Sequence, residues 1–312
     1  MSFSDDFQRL NPVRQERLAA LTTMRIGGQA TLVRLESRSS LAELLAARPR
    51  FLGKGANLLV GDGAVAEPVV QLGDAFAQCV VHEPRGGVVE VEAGAGLDLA
   101  ELMQVCITRG LAGPEGLAGV PATVGGALRM NAGTSTCWML DWVAQVEVVM
   151  PGEDQPRWIE RAGLEAAYRS CGLPPGTVFL GCRLSLSQGD PVALRAQATR
   201  LKKAKAASQP LALASAGCVF KNPRRELPAG RLIDELGLKG TACGGAMVSP
   251  VHANFIVNPQ RSATSQDVCT LINLVRERAW RERGVELVME VEAWNCPTEI
   301  RMHPRDLIGA GT

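Results

Sequence analysis

The sequence predicts an α+β chain of more than one domain, and three observations predict it. At 312 residues the chain exceeds what a single hydrophobic core usually serves. Runs in which apolar residues alternate sit beside runs with the three-four spacing of a helix. Glycine-rich loops punctuate these runs, with no low-complexity tract and no repeat of fixed period.

Taken in order, TTMRIGGQATLVRL and FLGKGANLLVGDGAV, in a first region to about Leu72, read as strand, glycine-rich turn, strand. A second region, Val80 to Ser187, opens with VVEVEAGAGLDLAELMQVCITRGL. Here an alternating strand (Val89, Val91, Ala93) meets Gly-Ala-Gly and then a helix. Asp98 takes the cap position with Glu101 three residues later, and Leu99, Leu102, Met103 and Cys106 form the buried face. The stretch PEGLAGVPATVGGALRMNAGTS that follows lacks the periodicity of a buried helix. ATRLKKAKAASQP, ending at Pro210, reads as an exposed basic helix and a connector. In the third region TSQDVCTLINLVRERAWRERG places Val268, Leu271, Ile272, Val275 and Ala279 on one face and stops at Gly284. VELVMEVEAW then reads as a strand, with Leu287, Met289 and Val291 facing away from Glu286, Val288, Glu290 and Glu292.

Charge excludes some functions. With 33 basic against 32 acidic residues, the net charge of +1 offers no broad footprint for nucleic acid or an anionic membrane. An anionic ligand needs a local site. The start MSFSDDFQRLNP has neither a basic n-region nor an apolar h-region, and no run of about 18 apolar residues occurs, so a soluble cytoplasmic protein is expected. The nine cysteines form no CxxC pair and the three histidines are far apart, so no metal site is expected. Most of these thiols are expected to serve as small core hydrophobes in a reducing compartment. Cys218, in SAGCVFKNP, poses the question of whether it is one more of these or a reacting group.

The glycine loops bear on ligands. Gly-Ala-Gly before the helix falls short of a dinucleotide fingerprint, because Leu99 stands where the third glycine belongs. Two other loops are more informative: Gly53-Lys54-Gly55-Ala56-Asn57, and Pro121-Ala122-Thr123-Val124-Gly125-Gly126 followed by Asn131-Ala132-Gly133. Backbone without side chains lets amide groups approach a diphosphate, and Thr123 and Asn57 can complete the hydrogen bonding. On the residues alone, a pair of tight turns remains the alternative.

RIGGQA, LGKGANLLVGD, AGAG, GPEGLAGVPATVGGALRMNAG, YRSC, AGCVFKNP, LIDELGLKG, VHANFIVN and VELVMEVEAW occur in one order between residues 20 and 294. Together they resemble the UDP-N-acetylenolpyruvoylglucosamine reductases, in the shorter, second type of that family. The resemblance implies a two-lobed FAD-binding domain of the vanillyl-alcohol-oxidase type (residues 1–76 and 77–204) and a C-terminal α+β substrate domain (205–312). Residues 295–312 match nothing interpretable. It implies FAD as cofactor, NADPH as co-substrate, a UDP-sugar substrate, a role in peptidoglycan synthesis, and a monomer.

The same resemblance assigns FAD contacts to Arg25, Gly53, Lys54, Gly55, Ala56, Asn57, Pro121, Ala122, Thr123, Gly125, Gly126, Asn131, Ala132 and Gly133. Tyr168, Asn222, Lys239 and His252 fall at substrate positions. Catalysis falls to Arg169 and Glu290, which stabilise negative charge as an enolpyruvyl ether is reduced, and to Cys218 as proton donor. The family's usual donor is a serine, so Cys218 is a departure. A thiol with a reference pKa near 8.5 releases a proton more readily than an aliphatic hydroxyl. Ala122 and Ala56 also depart, standing where glycine and serine are the pattern. Two alternatives stay open at this stage. Another FAD oxidoreductase of the same fold would lack the third-region motifs, and a non-catalytic flavin and sugar-nucleotide binder would be indifferent to Cys218→Ala.

Overall fold

The computed structural model describes residues 3–134, 137–297 and 300. Its contacts divide the chain into two compact units. The first comprises the described residues up to Arg14, Thr31–Lys54 and Glu67–Lys205. The second comprises Gln15–Ala30, Gly55–Ala66 and the described residues from Ala206 on. Two short N-terminal excursions thus join the C-terminal part of the chain, an arrangement that sequence order does not display.

The first unit contains a small sheet whose strand Val69–Leu72 runs parallel to both Gln29–Leu35 and Arg50–Phe51. It also contains a six-stranded sheet with central strand Val178–Gln188, antiparallel to Val88–Gly94 on one side and Val143–Val149 on the other. The alternation expected from sequence appears as Val89, Val91 and Ala93 buried in one apolar cluster. Leu99, Leu102 and Cys106 of the helix Leu99–Thr108 complete that cluster. Burial of each such Val or Leu contributes about 1.5–3 kcal/mol. Asp98 caps this helix by accepting from Ala100 N at 3.0 Å.

One element differs from expectation. Val124–Arg129, within the stretch read as aperiodic, is a short helix that buries Val124, Ala127 and Leu128. Six residues are too few to display a period, and its two glycines disfavour helix by propensity. Thr123 capping and tertiary burial decide the outcome.

In the second unit a sheet ordered Ala214–Ser215, Ile256–Asn258, Ala246–Val248, Ala242–Cys243 packs with the helices Ala229–Glu235 and Ser265–Arg283. All five residues expected on the long helix's buried face are buried. Thr264 and Asp267 form a reciprocal capping box at its start, and Gly284 ends it at φ 62°. Met24, Ile26 and Leu59 from the two excursions join the same core. The strand expected over 285–294 is shorter: only Glu292–Trp294 forms a ladder, parallel to Leu58–Val60. The alternation nevertheless holds, since Leu287 and Val291 are buried and Val288 is exposed. Among the described residues no helix is long and apolar enough to cross a membrane.

Candidate functional site

In the first unit the glycine loops meet. A Cβ added at Gly53 would lie 2.8 Å from Thr123 Oγ1, so the loops reach this separation only because residue 53 has no side chain. Thr123 Oγ1 accepts from Gly126 N at 3.2 Å, leaving the hydroxyl proton to donate elsewhere. Val124 N and Gly125 N donate to Leu97 O and Ala95 O, both at 2.8 Å. The amides of Val124, Gly125 and Gly126 are therefore spent on the fold. The glycines serve by leaving space, and Gly125 packs so closely on Ala95 that a Cβ would stand 2.9 Å from the Ala95 Cβ.

Lys54 pairs with Asp98 beside this cradle. Burial pushes the Asp98 carboxyl up, but hydrogen bonds from Lys54 and the Ala100 amide, with the Lys54 charge, outweigh it and hold the carboxyl below its usual range. A side-chain-free surface edged by a lysine and a threonine hydroxyl fits a diphosphate, and hence the FAD that the motifs imply.

The rest of the Gly-Lys-Gly-Ala-Asn motif lies in the second unit and is largely structural. Gly55 sits at φ 61°, where a Cβ would stand 2.4 Å from Leu21 O. The Asn57 amide donates to Glu290 O at 3.1 Å while Asn57 O accepts from Glu292 N at 3.1 Å. Arg25, at φ 62°, turns a guanidinium nitrogen to Ala20 O at 2.9 Å.

Cys218 and Glu290 are carried by two segments of the second unit bonded through their backbones. Glu290 N donates to Val219 O and Lys221 N to Val288 O, each at 2.8 Å, around an isolated bridge between Phe220 and Met289. Buried Asn254 holds the same segment from within: its side chain accepts from Phe220 N at 3.0 Å and donates to Phe220 O at 2.8 Å. Sequence reading passed over Asn254, in VHANFIVN, although a lone asparagine in an apolar run is a usable signal of buried hydrogen bonding.

Cys218 is half-buried between Gly217, at φ 77°, and Val219. The other thiols behave differently. Cys106, Cys171, Cys182 and Cys269 are buried in the cores, and Cys79, Cys137, Cys243 and Cys296 are half-buried against them. Burial pushes the Cys106 thiol to about 12 and raises Cys79 and Cys182.

The residues expected to contact substrate in the second unit gather at the helix Ala229–Glu235. Asn222 Oδ1 accepts from Ala229 N at 3.0 Å, Lys239 pairs with Asp234 at 2.7 Å, and His252 packs against Gly230. His252 Nδ1 accepts from Asn254 N at 3.2 Å, which directs the ring proton to Nε2. Burial lowers the His252 pKa, a backbone hydrogen bond opposes, and the Lys239 charge lowers it further.

Arg169 belongs to the first unit, at φ 58° in the turn closed by reciprocal bonds between Ala167 and Ser170. Its guanidinium lies 5.2 Å from the Tyr168 ring centroid and 5.7 Å from that of Trp138, and Nη1 donates to Gly133 O at 3.4 Å. Buried Asn131 ties this turn to the neighbouring loop, accepting from Leu140 N at 3.1 Å and donating to Ala167 O at 3.4 Å. Ala132 is bonded through its own backbone, N to Ala127 O and O from Met139 N. Sequence reading also passed over Trp138, whose part depends on a partner distant in the chain.

His82, Glu90 and Glu92 bring one ligand atom each within 4.8 Å of one another. Arg183 Nε already stands 3.0 Å from Glu92, so a cation meets these carboxylates.

Comparison with known proteins agrees across the chain. Residues 32–155 match the FAD binding domain family, and residues 209–294 match the family described as UDP-N-acetylenolpyruvoylglucosamine reductase, C-terminal domain. The UDP-N-acetylenolpyruvoylglucosamine reductase of Desulfosudis oleivorans is 39% identical over 290 residues, covering 88% of this chain and 92% of its own. That of Myxococcus xanthus is 40% identical over 285 residues, covering 89% and 90%. The crystal structure of the Thermus caldophilus reductase superposes with a TM-score of 0.79 at 37% identity, covering 91% of this chain and 99% of that one.

Proposed function

We propose a specific reaction for this chain from one premise: it belongs to the UDP-N-acetylenolpyruvoylglucosamine reductase family. It is accordingly an FAD-binding oxidoreductase. The reaction is reduction of the enolpyruvyl ether of UDP-N-acetylglucosamine to UDP-N-acetylmuramate, a step in peptidoglycan precursor synthesis, with NADPH as electron source. FAD, when bound, would supply hydride transfer from NADPH to the terminal carbon of the enolpyruvyl alkene.

The chain's own residues supply the rest. Gly53, Lys54 and Thr123 hold the diphosphate of the cofactor. As the terminal carbon becomes a methyl group, negative charge spreads from the adjacent carbon onto the substrate carboxylate. The Arg169 guanidinium meets that charge, and a protonated Glu290 donates a hydrogen bond to it. The Cys218 thiol gives its proton to the carbon bearing the ether oxygen, and the resulting thiolate is reprotonated from solvent. Asn222, Lys239 and His252 bind the sugar nucleotide.

The observation that carries this reading is the backbone pairing of the two catalytic segments of the second unit, Glu290 N on Val219 O at 2.8 Å. It holds the Glu290 and Cys218 segments side by side whatever their side chains do. The test is stopped-flow absorbance of the flavin-loaded protein, with NADPH first and the enolpyruvyl sugar nucleotide second. Bleaching by NADPH followed by recovery on adding substrate supports the reading. Failure to take up flavin, or bleaching without recovery, overturns it.

A further inference from the structure

We propose that Trp138 is a positioning residue for Arg169, holding the guanidinium against its ring face so that the cation is ordered before substrate arrives. The proposal rests on the role given to Arg169 above.

Three observations converge on it, all within the first unit. The Trp138 and Tyr168 rings stand edge to face, 5.8 Å apart at 90°, and make a corner. The Arg169 guanidinium occupies that corner, within the ~6 Å at which a cation is attracted by an aromatic face. Tyr168 precedes Arg169 in the chain and moves with it. Trp138 comes from a separate loop and is therefore the wall that fixes the corner in space.

The second observation is how Trp138 itself is fixed. Its indole lies so close on Gly133 that a Cβ there would stand 2.2 Å from Trp138 Cε3. Trp138 N donates to Asp141 Oδ2 at 2.8 Å, and Gly133 and Trp138 form an isolated bridge. The carbonyl of the same Gly133 accepts from Arg169 Nη1. One glycine thus seats the ring and anchors the cation, which gives the Asn-Ala-Gly motif a use that a cofactor contact does not supply.

The third is strain. Arg169 sits at φ 58°, a left-handed conformation that is unfavourable for a non-glycine residue and persists only where the surroundings over-determine it. The Ala167–Ser170 turn, the Asn131 side chain and the aromatic corner are those surroundings.

The consequence is kinetic. A long arginine in water samples many rotamers, and ordering it during the reaction costs entropy that a pre-formed corner removes. The test compares Trp138→Phe, which keeps a ring face, with Trp138→Leu, which keeps apolar bulk and loses the face. With Trp138→Leu, recovery of flavin absorbance at saturating sugar nucleotide should slow about tenfold, while bleaching by NADPH keeps its rate. Trp138→Phe should stay within about twofold of wild type in both. Independently of turnover, the Arg169 side-chain N–H resonance, followed in protein labelled with heavy nitrogen at arginine, should carry a ring-current contribution from Trp138, added to that of Tyr168, that Phe retains in part and Leu removes.

If Leu and Phe behave alike, or Leu leaves both the rate and the resonance unchanged, the positioning role is wrong. Should Trp138→Leu not take up flavin, Trp138→Met replaces it with the same expectation. Arg169→Ala, run alongside, separates this proposal from its premise. If it recovers at the wild-type rate, the role given to Arg169 falls. If it stalls while Trp138→Leu reacts normally, only the inference about Trp138 falls.

Discussion

The Cys218 segment of the second unit and the Arg169 turn of the first are held by different kinds of group. Around Cys218 the bonds are mainly between backbones: Val219 with Asn254 and Glu290, and Lys221 with Val288. Around Arg169 they run through side chains: the Asn131 amide, the Trp138 and Tyr168 rings, and one long bond to Gly133 O. Backbone pairing is indifferent to the side chain it carries, whereas side-chain packing is not. The backbone frame of the Cys218 segment therefore does not depend on the side chain at that position, whereas the Arg169 turn is sensitive to its neighbours.

The largest effect that sharpens this contrast is chemical. Cys218→Ala should slow the recovery of flavin absorbance with substrate by about a hundredfold or more, the scale of a lost general acid, while Cys218→Ser recovers and all three proteins bleach alike with NADPH. Stopped-flow absorbance reads it. Equal recovery in Cys218→Ala and wild type would make the thiol a packing residue and move the proton to Glu290 or water.

Next comes Asn254, a buried side chain on which the backbone-held region also depends. Asn254→Ala removes both partners of the Phe220 amide in a buried place and should cost about 3 kcal/mol, seen as a lower urea midpoint. An unchanged midpoint would mean that water or a backbone shift replaces the amide. In the side-chain-held region, Asn131→Ala should cost about 2 kcal/mol, from the lost bonds to Leu140 N and Ala167 O and from the φ of 41° that asparagine tolerates better than alanine. It should also slow the substrate half-reaction more than Asn254→Ala does. The reverse order would break the comparison.

The smallest effect concerns pH. Burial holds the folded-state pKa of His252 below the unfolded value near 6.5. Above that value both states are neutral there and the stability is fully present. As pH falls through it, the unfolded chain takes the proton first, and stability is lost until the folded-state pKa is passed. His252→Gln should therefore lose less melting temperature than wild type between neutral pH and about pH 5. Parallel curves would show that another group carries the loss.

Much of this was legible in the residues, for a physical reason that differs by element. The helices Leu99–Thr108 and Ser265–Arg283 announce their buried faces because the same side of the helix meets the core turn after turn. The alternation of Leu287, Met289 and Val291 was legible too, and with it Glu290 on the other side. Its hydrogen bonding was not: most of that segment bonds to residues 219–221 without forming a continuous ladder, and side-chain period does not specify the partner. At the glycine loops, sequence pointed to amides facing a diphosphate. The amides of Val124, Gly125 and Gly126 are instead satisfied within the chain, and what the glycines provide is clearance.

The sequence by itself determined the fold class, the family and the cofactor, because periodicity and ordered motifs are written locally along the chain. Only the tertiary structure decided that Val124–Arg129 is helical, that Asn57 ties down the Glu290 segment, and that Trp138 walls in Arg169. Each of those depends on an acceptor or a surface supplied by residues distant in sequence. The free energy of such a contact is set by which groups folding brings together, and no local pattern encodes it.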